Sequence, residues 1–245
     1  MRYKVIIFII CMSAFVSCKK ENMADCFTST GKTNVIYHDV KDFNCIELSD
    51  KMDLYLTQGS VFEVKVEAGA NLQRLIKTEL EGETLRVDNH NTCNFVRGYD
   101  HKISVYVTAP YFKHIKHAGL GTIKSVNTII QDEISYRNEN SGDLKLDVNT
   151  KRIIGSSHGN GDTYLTGITE KLEVTYNGTN YLYADGLNVT NYIYLTSLTI
   201  GHTYINAPEN GLMDIIIERS GNIYYKGNPS TIRLTKKDKG DLIKE

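Results

Sequence analysis

The tetrapeptide Asn160-Gly161-Asp162-Thr163 has three close relatives in the chain, Ser141-Gly142-Asp143-Leu144, Ser220-Gly221-Asn222-Ile223 and Lys239-Gly240-Asp241-Leu242. Each places Asp or Asn directly after a glycine. The glycines belong to a series of anchor positions that recurs about every twenty residues: Gly121, Gly142, Gly161, Asn180, Gly201, Gly221 and Gly240. A fixed period of this length is typical of a solenoid, in which each coil buries its apolar face only against its neighbours.

The residues around each anchor predict how a coil is built. A sharp corner favours glycine in the left-handed conformation, and Asn180 fits because Asn tolerates positive φ. The Asp or Asn after the anchor is expected to accept a hydrogen bond from its own backbone two residues on. Side chains alternate between faces along a strand, so the second residue after the anchor should point inward. This predicts one inward column, formed by residues 144, 163, 182, 203 and 223.

These patterns predict an all-β fold, a single-stranded β-solenoid preceded by a β-rich cap. We place the cap at residues 34–101 and the solenoid, of about seven coils, at 102–245. At about 4.8 Å per stacked strand, the stack should be roughly 34 Å long. Within the cap, Ala70–Ile76 is the one plausible helical turn, and Glu81-Gly82-Glu83 predicts a hairpin turn. The low proline count, 3 in 245 residues, suits long paired strands.

The N-terminus has the pattern of a targeting segment. Arg2 and Lys4 precede an apolar run, Val5–Val16, that is too short for a comfortable membrane span. Phe15-Val16-Ser17-Cys18 then resembles a bacterial lipobox, with Phe15 where Leu is usual. We predict a lipoprotein signal peptide at 1–17, lipidation on Cys18 and a polar tether at 18–33. The alternative is an ordinary signal cleaved nearby, with Cys18 incidental.

The five cysteines separate into three groups. Cys11 would leave with the signal peptide and Cys18 would be acylated. Cys26, Cys45 and Cys93 would remain in an oxidising envelope compartment, where their odd number predicts one disulfide and one buried thiol. Which two of them pair is left open.

Charge and motifs exclude several function classes. A formal net charge of −1 gives no electrostatic reason to bind nucleic acid. The chain has no G-x-S-x-G, P-loop or H-E-x-x-H motif. No other metal-ligating residue lies at a recognised motif spacing from any of four histidines, His114, His117, His158 and His202. We therefore predict no catalytic residues, no cofactor and no metal.

Tyrosine is abundant, with 16 residues, and four tyrosines share one position in the repeat. The third residue after each anchor gives Lys124, Lys145, Tyr164, Tyr183, Tyr204 and Tyr224. If the coils stack in register, the four tyrosines form one outward column about 4.8 Å apart. Such a column can bind sugar rings through CH–π contacts and hydroxyl groups. It can also stabilise its own sheet or pack on another subunit, and we give this structural interpretation more weight.

Asp143 and Asp162 occupy the position directly after the anchor in neighbouring coils. As an outward pair, they could share a cation or act as an acid/base pair. Aspartate also has a local backbone role at turns, and we favour that structural interpretation.

Together these residues resemble the family described as "putative auto-transporter adhesin, head GIN domain". The resemblance rests on the successive glycine turns and on five N-terminal segments: Phe43-x-x-Ile46-Glu47-Leu48, Leu54–Gly59, Val64-x-Val66-Glu67-Ala68, Leu85-Arg86-Val87 and Cys93–Arg97. Phe95 stands where the family commonly has Trp, and the glycine turns at Asn180 and Gly201 depart from the pattern. The resemblance implies a β-solenoid at the cell surface or in the periplasm, and it supplies no catalytic residues to transfer.

Two functions remain. The first is a non-catalytic adhesin or glycan-binding lipoprotein of the bacterial envelope, anchored in the outer membrane and contacting polysaccharide through Tyr164, Tyr183, Tyr204 and Tyr224. The second is a structural or assembly protein, in which this column packs on a partner subunit such as a second copy of the chain.

Overall fold

The computed structural model describes residues 29–91 and 102–245, and their regular structure is β-strand apart from one 3₁₀ turn at Gln73–Leu75. The strands of the N-terminal part are β1 (Thr33–His38), β2 (Cys45–Asp50), β3 (Asp53–Gln58), β4 (Glu63–Gly69), β5 (Ile76–Glu81), β6 (Thr84–Asn89) and β7 (Ser104–Ala109). The remaining strands are β8 (His114–Gly119), β9 (Thr122–Ser125), β10 (Ile129–Ile130), β11 (Glu133–Asn140), β12 (Asp143–Gly159), β13 (Thr163–Gly178), β14 (Leu182–Ala184), β15 (Leu187–Thr199), β16 (Thr203–Asn206), β17 (Leu212–Ile217), β18 (Ile223–Lys226), β19 (Thr231–Lys236) and β20 (Leu242–Lys244).

Most strands stack in parallel into two main walls, and a third, shorter ladder runs through β10, β12, β13 and β15. This stacking confirms the predicted β-solenoid. One wall, here called the front sheet, contains in spatial order β7, β3, β9, the first part of β12, the first part of β13, β14, β16, β18 and β20. The back sheet contains β6, β2, β8, β11, the later parts of β12 and β13, β15, β17 and β19. Seven coils follow one another from β8 to β20.

The predicted inward column is confirmed. Leu144, Thr163, Leu182, Thr203 and Ile223 are ladder partners in successive coils, and each is 0% exposed. Because a shift of one residue would turn every side chain to the other face, full burial of all five fixes the register of the front sheet.

Glycine is required at the anchor positions for a different reason from the one we predicted. None of them lies in the left-handed region; positive φ instead occurs two residues earlier, at Asn140, Gly159 and Gly178. A Cβ on Gly161 would lie 2.0 Å from the carbonyl oxygen of Gly142 in the preceding coil. Glycine is therefore required because the backbones of successive coils approach closely at this corner.

Asn180 also has an ordinary φ, so tolerance of positive φ does not explain it. Its side chain is buried, and its Nδ2 donates to the carbonyl oxygens of Gly159 at 3.1 Å and Asn177 at 2.8 Å. Asn180 thus satisfies backbone carbonyls at the corner where other coils have glycine.

The N-terminal part adds strands to the same stack. β2 and β3 lie between β6–β7 on one side and β8–β9 on the other, so this coil has neighbours on both sides that come later in the chain. β5 pairs with β6, and β4 with both β7 and β1, in antiparallel orientation. The predicted hairpin and helical turn are present, at Gly82 with φ 61° and at Gln73–Leu75. The division into a cap at 34–101 and a solenoid at 102–245 stays a prediction.

Polar side chains occupy part of the interior between the sheets. His117, Asn138, Ser157 and Tyr176 follow one another in the back-sheet ladder, and each is at most 2% exposed. The hydroxyl of Tyr176 pairs with that of Tyr136. Both ring nitrogens of His117 lack a hydrogen-bond partner among the described residues. This places an uncompensated polar group in the core.

Three predictions fall on residues outside the described ranges. They are the signal peptide at 1–17, lipidation of Cys18 and the greater part of the tether. Cys45 has a free thiol that donates to Asn44 Oδ1 at 3.1 Å. The side chain of Cys45 is half-buried rather than buried as predicted, and Cys26 and Cys93 also lie outside the described ranges. No helix in residues 29–91 or 102–245 is long and apolar enough to span a membrane.

Candidate functional site

The four predicted tyrosines form one column on the outer face of the front sheet. Tyr164, Tyr183, Tyr204 and Tyr224 are ladder partners in successive coils. Their ring centroids are 4.7, 5.5 and 5.2 Å apart, and the planes of neighbouring rings differ by 11°, 5° and 12°. The rings therefore stack on one another in parallel along the solenoid. Packing of this kind adds about 0.5–1.5 kcal/mol per pair beyond area burial.

The stacking determines which atoms a ligand could reach. Each inner ring lies against a neighbour on both sides, so its flat faces are largely used within the column. Within residues 29–91 and 102–245, the hydroxyls of Tyr164, Tyr183 and Tyr204 make no hydrogen bond. Burial raises the pKa of these three hydroxyls, so they stay protonated and can donate as well as accept. The column presents ring edges and hydroxyl groups outward.

Two further aromatic side chains widen the column. The ring of Tyr181 stacks on Tyr183 at 6.0 Å with a plane angle of 10°. His202 lies edge-on to Tyr181 at 5.7 Å and edge-on to Tyr224 at 5.6 Å. Both residues occupy the position directly after the anchor, two residues before a column tyrosine and on the same face. Because side chains two residues apart on a strand share a face, the sequence pattern could have placed Tyr181 and His202 beside the column.

Asp143 and Asp162 hold neighbouring coils together. The backbone N–H of Asp162 donates to Asp143 Oδ1 at 3.1 Å, and the N–H of Tyr181 donates to Asp162 Oδ1 at 2.8 Å. Asn222 makes the same contact, accepting from the N–H of Asp241 at 3.0 Å. The structural role is therefore present. We had predicted that each side chain accepts from its own backbone, but it accepts from the backbone of the next coil.

The charges of this aspartate pair are compensated in part. Burial raises the pKa of Asp162, the N–H of Tyr181 opposes this shift, and the nearby charge of Asp143 adds to it. Asp143 is itself paired with Lys145 Nζ at 3.6 Å. Among the described residues, no group of three or more His, Cys, Asp or Glu side chains is placed to hold a metal ion.

The back sheet has a different outer surface, with charged side chains that pair with one another. Arg152 bonds Glu173 through two nitrogens, at 2.9 and 2.6 Å, and Lys116 bonds Glu47 at 2.9 Å. Tyr194 lies on this outer face, between Glu173 and Asp214 in the ladder. These charged groups of the back sheet are thus paired, whereas three tyrosine hydroxyls in a row on the front sheet have no hydrogen-bond partner among the described residues.

The family model described as "Putative auto-transporter adhesin, head GIN domain" matches residues 42–229. The chain belongs to this family. Its members are described as adhesins, which indicates a protein of the cell surface or envelope. The matched range includes the whole tyrosine column.

Solved structures share the fold. A "putative adhesin" from Bacteroides fragilis is 24% identical with a TM-score of 0.81, covering 87% of this chain and 97% of that chain. A "putative adhesin" from Parabacteroides distasonis is 19% identical with a TM-score of 0.64, covering 88% and 98%. A "putative lipid binding protein" from the same species is 16% identical with a TM-score of 0.70, covering 89% and 98%. No curated protein matches the chain.

Proposed function

We propose that this protein is a non-catalytic, lipid-anchored adhesin of the bacterial outer membrane that binds polysaccharide through Tyr164, Tyr183, Tyr204 and Tyr224. One observation carries the proposal: three hydroxyls without a partner in the described structure stand in a row on a rigid stack. Groups that are ordered before binding lose little entropy when a ligand arrives. A polysaccharide offers hydroxyl groups at repeated intervals that can match such a row.

The geometry also favours a second candidate, a structural protein whose tyrosine column packs on a partner subunit. Stacked rings hide their flat faces from a sugar, and tyrosine is enriched at protein interfaces. The two candidates differ in what the hydroxyls do. A glycan needs them as hydrogen-bond partners, whereas a protein interface can rest on the ring edges alone.

A glycan array probed with residues 19–245 separates the two candidates. We expect specific polysaccharide binding that is lost in Tyr183→Ala and Tyr204→Ala. Tyr183→Phe should weaken it by about tenfold, since it removes a hydrogen bond and keeps the stack. Tyr194→Ala, on the back sheet, is the matched control and should bind normally. An array without signal, together with a dimer in solution that Tyr183→Ala disrupts, would instead favour the subunit interface.

The absence of catalysis is part of the proposal. Hydrolysis of polysaccharide needs acids that converge on the substrate with matched pKa values. Asp143 and Asp162 instead accept backbone N–H groups from the next coil. Assaying the array-positive polysaccharide for released reducing ends checks this point, and release that is lost in Asp162→Asn would contradict it.

The lipid anchor is proposed on Cys18, on the basis of the sequence Phe15-Val16-Ser17-Cys18. We expect Cys18→Ala to move the protein from the membrane fraction to the soluble fraction, because a removed signal peptide and an unacylated N-terminus leave no hydrophobic anchor. Ser17→Ala keeps a small residue before the cysteine and is the control. Unchanged membrane partitioning of Cys18→Ala would show that Cys18 is not the anchor.

A further inference from the structure

A second stacked pair of tyrosines lies on the same outer column of the front sheet. Tyr55 of β3 and Tyr106 of β7 are ladder partners, with ring centroids 5.0 Å apart and planes 17° from parallel. Tyr55 also pairs in register with Lys124 of β9. The insertion of β2–β3 into the stack thus brings Tyr55 and Tyr106 into line with residues far along the chain.

Two lysines fill the column between this pair and the four-tyrosine stack. Lys124 pairs in register with Lys145, and Lys145 with Tyr164. Lys145 is already engaged: its Nζ lies 4.6 Å from the Tyr164 ring centroid and 3.6 Å from Asp143 Oδ2. Lys124 is exposed and has no ion pair within the described residues. Its ammonium group is available to a ligand midway along the column.

The far end of the column is closed by contacts within the protein. Lys65 Nζ lies 5.2 Å from the ring centroid of Tyr106, and the Tyr106 hydroxyl donates to Glu67 Oε2 at 3.1 Å. The column therefore ends at Tyr106, and it runs from there to Tyr224. It contains eight residues in register: Tyr106, Tyr55, Lys124, Lys145, Tyr164, Tyr183, Tyr204 and Tyr224.

We propose that these eight residues form one continuous binding track for an internal segment of an extended polysaccharide, rather than for a free sugar or a chain terminus. Seven strand steps of about 4.8 Å make the track roughly 34 Å long. A short oligosaccharide reaches one aromatic stack only. A long chain contacts both stacks and Lys124. Once one stack is bound, contact with the other stack is intramolecular, and this strengthens binding of the whole chain.

This inference rests on the proposed glycan-binding function and adds a length requirement to it. The probes are cello-, chito- and galacturono-oligosaccharides, each from disaccharide to octasaccharide, titrated against residues 19–245. For the series that binds, we expect the octasaccharide to bind at least about tenfold more tightly than the trisaccharide. Tyr55→Ala and Lys124→Ala should each remove most of that gain.

The controls separate failure of this inference from failure of the proposed function. Tyr194→Ala should keep the full length dependence, and thermal unfolding should show that each variant remains folded. One outcome is binding that depends on Tyr183 and yet neither increases with oligosaccharide length nor responds to Tyr55→Ala. This result would overturn the proposed track and leave the proposed glycan-binding function standing. Absence of binding to every oligosaccharide and to every array polysaccharide would overturn both.

Discussion

Gly161→Ala is expected to destabilise the protein by about 3–5 kcal/mol, the range of severe backbone and packing defects. The added Cβ would lie 2.0 Å from the carbonyl oxygen of Gly142 and within 3 Å of two more of its backbone atoms. Backbone cannot move aside as a flexible side chain can, so the two coils would have to separate. Urea unfolding followed by circular dichroism measures the loss of unfolding free energy.

Gly186→Ala is the matched control for this substitution. Its Cβ would meet the side-chain methyl group of Thr166 at 3.1 Å and a backbone oxygen only at 4.0 Å, and its φ is not left-handed. We expect a change below about 1 kcal/mol. Equal, small effects of the two substitutions would show that close approach of the coils does not explain the twenty-residue glycine period.

Lowering the pH from 6.5 to 4 is expected to reduce stability by about 3 kcal/mol through His117 alone. His117 is 0% exposed, and burial lowers its pKa from 6.5 to about 4, against the opposing effects of the neighbouring Asn138 side chain and of the charges of Asp143 and Asp53. Between these two pH values the unfolded chain binds a proton that the folded protein does not. The unfolding free energy therefore falls as the pH falls, at up to 1.36 kcal/mol per pH unit, and this effect ends below pH 4.

The difference between wild type and His117→Leu isolates this effect from carboxylates that titrate in the same range. Leucine suits the site because Leu48 is the ladder neighbour of His117. We expect the variant to lose much less stability than wild type on going from pH 6.5 to 4. His158→Gln, on the outer surface, should behave as wild type does. Parallel pH profiles for wild type and His117→Leu would show that protonation of His117 does not determine acid sensitivity.

The solenoid and the tyrosine column could be predicted because both depend on local pattern. The twenty-residue period gives the coil, and alternation along each strand assigns Leu144 to the inside and Tyr164 to the outside. Each further coil repeats the same period and the same inward and outward positions. The register of the coils therefore follows from the position of each residue relative to its anchor. Residues 144, 163, 182, 203 and 223 lie inward for this reason.

The parts that could not be predicted depend on contacts between distant segments. Position 161 requires glycine because the carbonyl oxygen of Gly142 lies too close for a Cβ. Asp162 accepts a hydrogen bond from the backbone N–H of Tyr181, a residue of the next coil. Nothing in the local sequence distinguishes these contacts from a left-handed turn or a turn hydrogen bond. Likewise, Tyr55 joins the column only because β3 pairs with both β7 and β9, which no repeat in the sequence indicates.

The insertion of β2–β3 also has a consequence for how the protein is made and how it can change length. The first coil to be synthesised keeps two open edges until β6–β9 exist, so the N-terminal half must assemble as one cooperative unit. From β11 onward, each new coil docks on a completed predecessor, ending with β19 and β20 on β17 and β18. Duplication or loss of a whole coil is therefore more tolerable from β11 onward than in the N-terminal unit. Evolution can lengthen or shorten the solenoid there while the starting unit stays intact.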